Sequence, residues 1–120
     1  MSKPQNSIPL HSRHCQHRNS EADRLDADVV QSYLELINGW SLDDGNEVDS
    51  ISKQIQVEDF DAALALALKL GNLADQQDHH PQLIIEWGKV KVSWWTHSVG
   101  GLSENDFIMA ARVDQLINEN

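Results

Sequence analysis

Residues 75–106 read DQQDHHPQLIIEWGKVKVSWWTHSVGGLSEND. Pro81 disfavours a helical backbone at His80, so a helix running into this stretch is expected to stop at His79-His80-Pro81. Residues 83–87 then read as a strand, Gly88-Lys89 as a turn, and residues 90–97 as the returning strand. Strand alternation puts Val90, Val92, Trp94 and Thr96 on one face and Lys91, Ser93, Trp95 and His97 on the other. Gly100-Gly101 breaks the chain, and Ser103 followed by Glu104 and Asp106 is a helix-start signature. Helix, hairpin, helix: this order makes the sheet antiparallel, because two strands joined by so short a turn have no room for a crossover.

The flanking sequence repeats the scheme. Upstream, Glu58-Asp59 opens a second helix on the acidic side its dipole favours. That helix carries Phe60, Leu64, Ala67 and Leu68 in one row, with Leu66, Leu70 and Leu73 beside it. Before it, residues 40–42 read as a short strand, Asp43-Asp44-Gly45-Asn46 as a turn, and residues 51–57 as an alternating strand. Ile51, Lys53, Ile55 and Val57 fall on its inner face. Leu25, Val29, Val30, Tyr33, Leu34 and Ile37 recur at helical spacing, with Asp26 or Asp28 as cap and Asn38-Gly39 as stop. The last helix carries Phe107, Ile108, Ala111 and Val113. The expected fold is therefore α+β: a single four-stranded antiparallel sheet with three helices packed on one face, in the order α-β-β-α-β-β-α.

The chain has 120 residues, 40% hydrophobic and 23% charged, which suits one globular domain. Its net charge of −10 disfavours direct contact with nucleic acid or with anionic membranes. No apolar run approaches the length of a membrane span, and the N-terminus lacks the apolar centre of a secretory signal. One cysteine, Cys15, excludes an intrachain disulfide and fits a reducing compartment, so the expected location is the cytoplasm. Residues 1–20 are polar and read as a flexible N-terminal arm, with the domain over residues 21–120. The arm holds His11, His14, Cys15 and His17. Their spacing matches no standard zinc pattern and no second ligand pair follows, so a solvated tail is expected rather than a metal site.

The chemistry-bearing residues gather in the quoted stretch. Asp75 and His79, four apart, would share a helix face, so that the carboxylate orients the imidazole. The acid and the negative end of the helix dipole would both favour imidazolium, which suits a general acid. His97 ends a strand that the hairpin returns towards the helix end. Asp106 lies in the first turn of the last helix, placed to hydrogen-bond a histidine or a ligand N–H. Each part has a bland counterpart: an Asp–His pair on a surface, a helix-start acid, a core tryptophan. Trp94 and Trp95 must face opposite sides of their strand, so at least one belongs to the core.

At these residues the sequence closely resembles the pterin-4a-carbinolamine dehydratase family, most of all its bacterial members associated with phenylalanine hydroxylase. The pattern stands as Asp75, His79-His80-Pro81, Trp87, Thr96-His97, Gly101-Leu102 and Asp106, with Gly39-Trp40 after the first helix. The resemblance runs from about Leu25 to the C-terminus. It implies the same sheet and helices, and a hydro-lyase that dehydrates 4a-hydroxytetrahydrobiopterin to quinonoid dihydropterin with no metal and no bound cofactor, serving tetrahydrobiopterin recycling for an aromatic amino acid hydroxylase. By carry-over His79 and His97 are the acid/base candidates, with His80 binding and orienting the ring and Asp75 orienting His79. Asp106 would hold an imidazole or the pterin, Trp40 would wall the pocket, and Pro81 would shape the turn. The resemblance also implies a homodimer or homotetramer, for which Met109 and Leu116 on the last helix are candidates. The alternative is a protein-interaction module, since animal members serve as dimerisation cofactors of a transcription regulator. Two departures stand out: the helix acid, often Glu in the family, is the shorter Asp75, and residues 54–57 (QIQV) replace the phenylalanines of many relatives.

Overall fold

The computed structural model describes residues 8–45 and 47–118. Helix α1 (Ala27–Leu34) starts on Asp26, whose side chain accepts a hydrogen bond from the Val29 amide. Strands β1 (Ser41–Asp43) and β2 (Ser50–Gln56) form the first hairpin. Asn46, placed by the sequence in its turn, lies outside the described residues. Helix α2 (Phe60–Gln77) is capped by Asp59, which accepts from the Ala62 amide. Strands β3 (Gln82–Glu86) and β4 (Lys89–Trp94) make the second hairpin, and α3 (Glu104–Asn118) closes the domain. The turn between β3 and β4 is Trp87-Gly88, with Gly88 at φ +82°, and Lys89 already pairs with Glu86.

The four strands form one antiparallel sheet in the order β1-β2-β4-β3. The register explains which face is covered. Ile51 opposes Trp94, Lys53 opposes Val92, and Ile55 opposes Val90, so these side chains share the helix-facing side. Ile51, Val90, Val92 and Trp94 are fully buried there. The other face is polar, with Ser52 opposite Ser93 and Gln54 opposite Lys91. Lys53 is the cation on the inner face; it escapes burial by running out to Asp114 of α3 at 2.8 Å. The α+β architecture expected from the sequence is the one observed.

Three sequence expectations are corrected by packing. Met109 of α3 is fully buried with Phe107, Ile108 and Ala110, so it belongs to the core. The exposed apolar row is instead Phe60, Leu64 and Leu68 on α2. Trp40 is also core: its Nε1 donates to the Asp114 carboxylate at 3.1 Å, which points the indole at α3 and away from the histidines. The N-terminal segment from Ile8 to Ser20 is not a free arm. Leu10 and Arg13 are buried, Arg112 of α3 donates through Nε to the Arg13 carbonyl at 2.8 Å, and Arg13 itself reaches Glu104 at 3.1 Å. Residues 1–7 of the expected arm lie outside the described residues.

Glu104 ties this segment to α1 as well. Tyr33 donates its hydroxyl to the Glu104 carboxylate at 2.6 Å, and its ring stacks on Phe107 with centroids 5.0 Å apart. Burial, then the hydrogen bond to Glu104, pushes the Tyr33 phenol up from 10.0 to about 12. The neutral phenol is thus favoured in the folded state. Its contribution is complete below pH 10.0, the unfolded value, and is lost as pH rises through about 12. Tyr33→Phe is expected to lose about 1.5–3 kcal/mol at neutral pH, the usual range for a hydrogen bond to a charged group. Urea melts at pH 7 and along a series above pH 10 check both: the variant should have a lower midpoint and a flatter alkaline decline.

Candidate active site

The C-terminal end of α2 sets the site. The helix stops at Gln77, and Asp78 takes a left-handed conformation at φ 51°. The Asp78 and His79 amides turn back to the Ala74 carbonyl, so the last turn is closed before the histidines begin. Sequence reasoning set the stop at His79-His80-Pro81; the left-handed residue brings it forward and swings His79 off the helix face. The expected Asp75–His79 pair is therefore absent. Asp75 accepts instead from His80 Nε2 at 2.9 Å, with both side chains largely exposed. Such a surface pair is worth about 0–1 kcal/mol, so it restrains His80 only lightly.

His79 is held by Asp106. Its Nε2 lies 2.6 Å from Asp106 Oδ1, and the carboxylate is fully buried. The second carboxylate oxygen accepts from the Thr96 hydroxyl at 2.8 Å and from the Ser103 amide at 2.9 Å. Ser103 and Asp106 form half of a capping box: the acid reaches back to the N-cap amide, while the serine hydroxyl turns to Thr96 Oγ1 at 2.7 Å. Since Thr96 spends its only proton on Asp106, Ser103 is the donor to Thr96. A carboxylate only accepts, so His79 Nε2–H is the donor, and in the neutral imidazole Nδ1 keeps its lone pair. His79 also lies flat on Trp94, with centroids 5.5 Å apart and planes 17° from parallel. Trp94 is fully buried, and among the described residues its Nε1 has no hydrogen-bond partner. It acts as an apolar floor for the imidazole.

His79, His80, His97 and the half-buried Trp95 line one cleft of about 740 Å³. This lies within the range usual for small-molecule sites, roughly 300–1,000 Å³. His97 is exposed and opens a short 3-10 turn (His97–Val99) after the end of β4. Of the residues expected at the site, His79, His80 and His97 meet in this cleft. Asp106 stands behind His79, Asp75 stands outside beside His80, Pro81 links α2 to β3, and Trp40 is elsewhere in the core. Sequence reasoning read Ser103 only as a helix start and gave Thr96 no task at the site, although the inward position of Thr96 and the spacing of Ser103 to Asp106 are the signals that mark them. It also missed residues 15–19, which form another side of the cleft. Cys15 is among them, and its neutral thiol is the favoured form. Burial first, then the nearby Asp106 charge, pushes its thiol from 9.0 to about 12. Among the described residues no three His, Cys, Asp or Glu side chains converge as a metal site.

Removing the Asp106 carboxylate would leave His79 Nε2, the Thr96 hydroxyl and the Ser103 amide without their acceptor. Asp106→Ala is expected to cost about 3–5 kcal/mol, because three donors lose their acceptor at about 1–3 kcal/mol apiece. Thr96→Val should cost less, about 1–3 kcal/mol. Urea denaturation of the two variants measures both. A wild-type midpoint for Asp106→Ala would show that the network does not hold these segments.

Residues 23–116 match the model of the family described as pterin 4 alpha carbinolamine dehydratase. A candidate pterin-4-alpha-carbinolamine dehydratase of Hahella chejuensis is 38% identical over 104 residues, covering 87% of this chain and 93% of that protein. One of Chlorobium luteolum is 44% identical over 89 residues, covering 74% of this chain and 78% of its own length. Among solved structures, a transcriptional coactivator/pterin dehydratase from Brucella melitensis superposes with a TM-score of 0.70 at 29% identity, covering 78% of this chain and 97% of that one. With the fold, the match over most of its length and these identities agreeing, the chain belongs to the pterin-4a-carbinolamine dehydratase family of hydro-lyases.

Proposed function

We propose that the protein dehydrates a 4a-hydroxytetrahydropterin to the quinonoid dihydropterin by histidine acid/base catalysis. The observation that carries this reading is His79, with Nε2 committed to a buried carboxylate and Nδ1 unpartnered among the described residues, in one cleft with His80 and His97. In the reaction the C4a–O bond breaks, the hydroxyl leaves as water after taking a proton, N5 loses its proton, and an N5–C4a double bond forms. His79 Nδ1 is the base for N5–H, and Asp106 stabilises the imidazolium that results, as a carboxylate behind a catalytic histidine does. His97 is the acid for the leaving hydroxyl. His80 binds and orients the ring, and Asp75 limits its swing. The flat face of Trp95 offers the ring a stacking surface. The reading assigns the protein to tetrahydropterin recycling beside an aromatic amino acid hydroxylase in the cytoplasm.

The test is a stopped assay on a freshly generated 4a-hydroxytetrahydropterin, with chelator present. The protein is expected to accelerate dehydration. His79→Ala should lower kcat by about 10²-fold or more, within the range of general acid–base catalysis. A His79→Ala/His97→Ala double variant with full activity would overturn the assignment.

Self-association belongs to the same proposal. Phe60, Leu64 and Leu68 lie four residues apart on α2 and are 44%, 46% and 68% exposed, which makes a continuous apolar row. A second copy of this helix packed against the row would cover it, giving a homodimer or homotetramer. Light scattering is expected to report a multiple of 13.5 kDa for the native chain and a smaller mass for Leu64→Glu/Leu68→Glu.

A further inference from the structure

The segment before α1 is fastened to the site at three points, each beside a site residue. The Cys15 amide donates to Gln77 Oε1 at 2.9 Å, two residues before His79. Gln16 and Asn105 bond reciprocally, amide to Oδ1 at 3.0 Å and Nδ2 to carbonyl at 2.7 Å, and Asn105 precedes Asp106. The Ser98 hydroxyl donates to the Arg18 carbonyl, and Ser98 follows His97. The anchors on the segment's side are mostly backbone, so the side chains of Gln16 and His17 remain exposed at the cleft. Arg18 reaches Glu104 at 3.2 Å with one terminal nitrogen and stays partly exposed. The wall made by residues 16–19, Gln-His-Arg-Asn, is thus wholly polar and rich in donors. It faces a cleft whose other lining includes the aromatic Trp95 and the histidines. The stretch also lies outside residues 23–116, the part that matches the family.

From this we propose that residues 16–19 form a substrate-positioning strap that reads the polar substituent carried by the pterin ring, with His17 and Arg18 as its hydrogen-bonding side chains. The inference rests on the pterin reading above. A polar wall gains nothing from a methyl group, which can only displace water from the wall's donors without replacing its hydrogen bonds. Against a dihydroxypropyl substituent the same donors are satisfied. The strap therefore acts in discrimination between pterins, while the acid/base step belongs to the histidines.

The test uses the full chain and two 4a-hydroxytetrahydropterins, one with a 6-methyl and one with a 6-dihydroxypropyl group. Wild type should prefer the hydroxylated substrate in kcat/KM. His17→Ala/Arg18→Ala should lose about tenfold of that preference, mainly through KM, with circular dichroism confirming the fold. His17→Ala alone, at an exposed position, should shift the ratio in the same direction. Asn105→Ala, which releases an anchor, should do so too. Titration of the corresponding 7,8-dihydropterins reads the same discrimination without turnover. An unchanged ratio in the double variant, with both substrates still processed, would overturn the strap and leave the dehydratase reading intact. Wild type that neither binds nor processes either pterin would overturn both.

Discussion

A carboxylate with no exposure to water holds the domain's functional end together. Asp106 is fully buried, and burying a charge costs several kcal/mol unless its lone pairs are met. It meets them with donors from three stretches: His79 beyond α2, Thr96 beyond β4, and the Ser103 amide at the start of α3. None of these segments can shift far without exposing an unpaired acceptor. The helix end, the strand end and the helix start are therefore drawn together by one side chain. The helix N-terminus adds its own positive end behind the carboxylate.

This constraint explains why the site was partly legible in the sequence. Period-2 alternation over residues 90–97 correctly separates Trp94 and Thr96, which are buried, from Trp95 and His97 on the other side, because a strand leaves no choice of face. The Ser103-to-Asp106 spacing correctly marks a helix start. What failed was the partner of His79. Four-residue spacing pairs Asp75 with His79 only if the helix runs that far, and Asp78 ends it first by entering the left-handed region. Aspartate is one of the few non-glycine side chains that enters that conformation, and the spacing argument passed over it. Once His79 leaves the helix, the buried Asp106 is the stronger partner, and Asp75 is left to the exposed His80.

The N-terminal segment was misread for a different reason. Sequence periodicity detects elements that pack through apolar side chains. Residues 8–20 have little of that; apart from Leu10 and Cys15, they are held by carbonyls, amides and ions supplied from elsewhere, such as Arg112 to the Arg13 carbonyl and Asn105 to Gln16. Each such partner is polar and ordinary in its own local context, so no pattern announces it. Trp40 and Met109 show the converse. Both are large side chains that sequence reasoning assigned to surfaces, and both are core: Met109 is buried beside Ile108 and Ala110 on α3, and the Trp40 indole is held by Asp114 of that helix.

The network around Asp106 also determines what His79 can do. A histidine with water on both nitrogens exchanges tautomers freely; one with a buried carboxylate on Nε2 keeps its proton there and turns the Nδ1 lone pair outward. The stacking on Trp94 fixes the plane in which that lone pair lies. Orientation and tautomer thus come from groups with no exposure to the cleft, Asp106 and Trp94. The polar N-terminal wall of the cleft stands outside both groups. Residues 16–19 occupy that outer position: they touch the cleft, their anchors end one or two residues from His79, His97 and Asp106, and the charge that orders the site stays behind the imidazole. Such an arrangement lets the entrance wall change its side chains while the His79–Asp106 pair keeps its geometry.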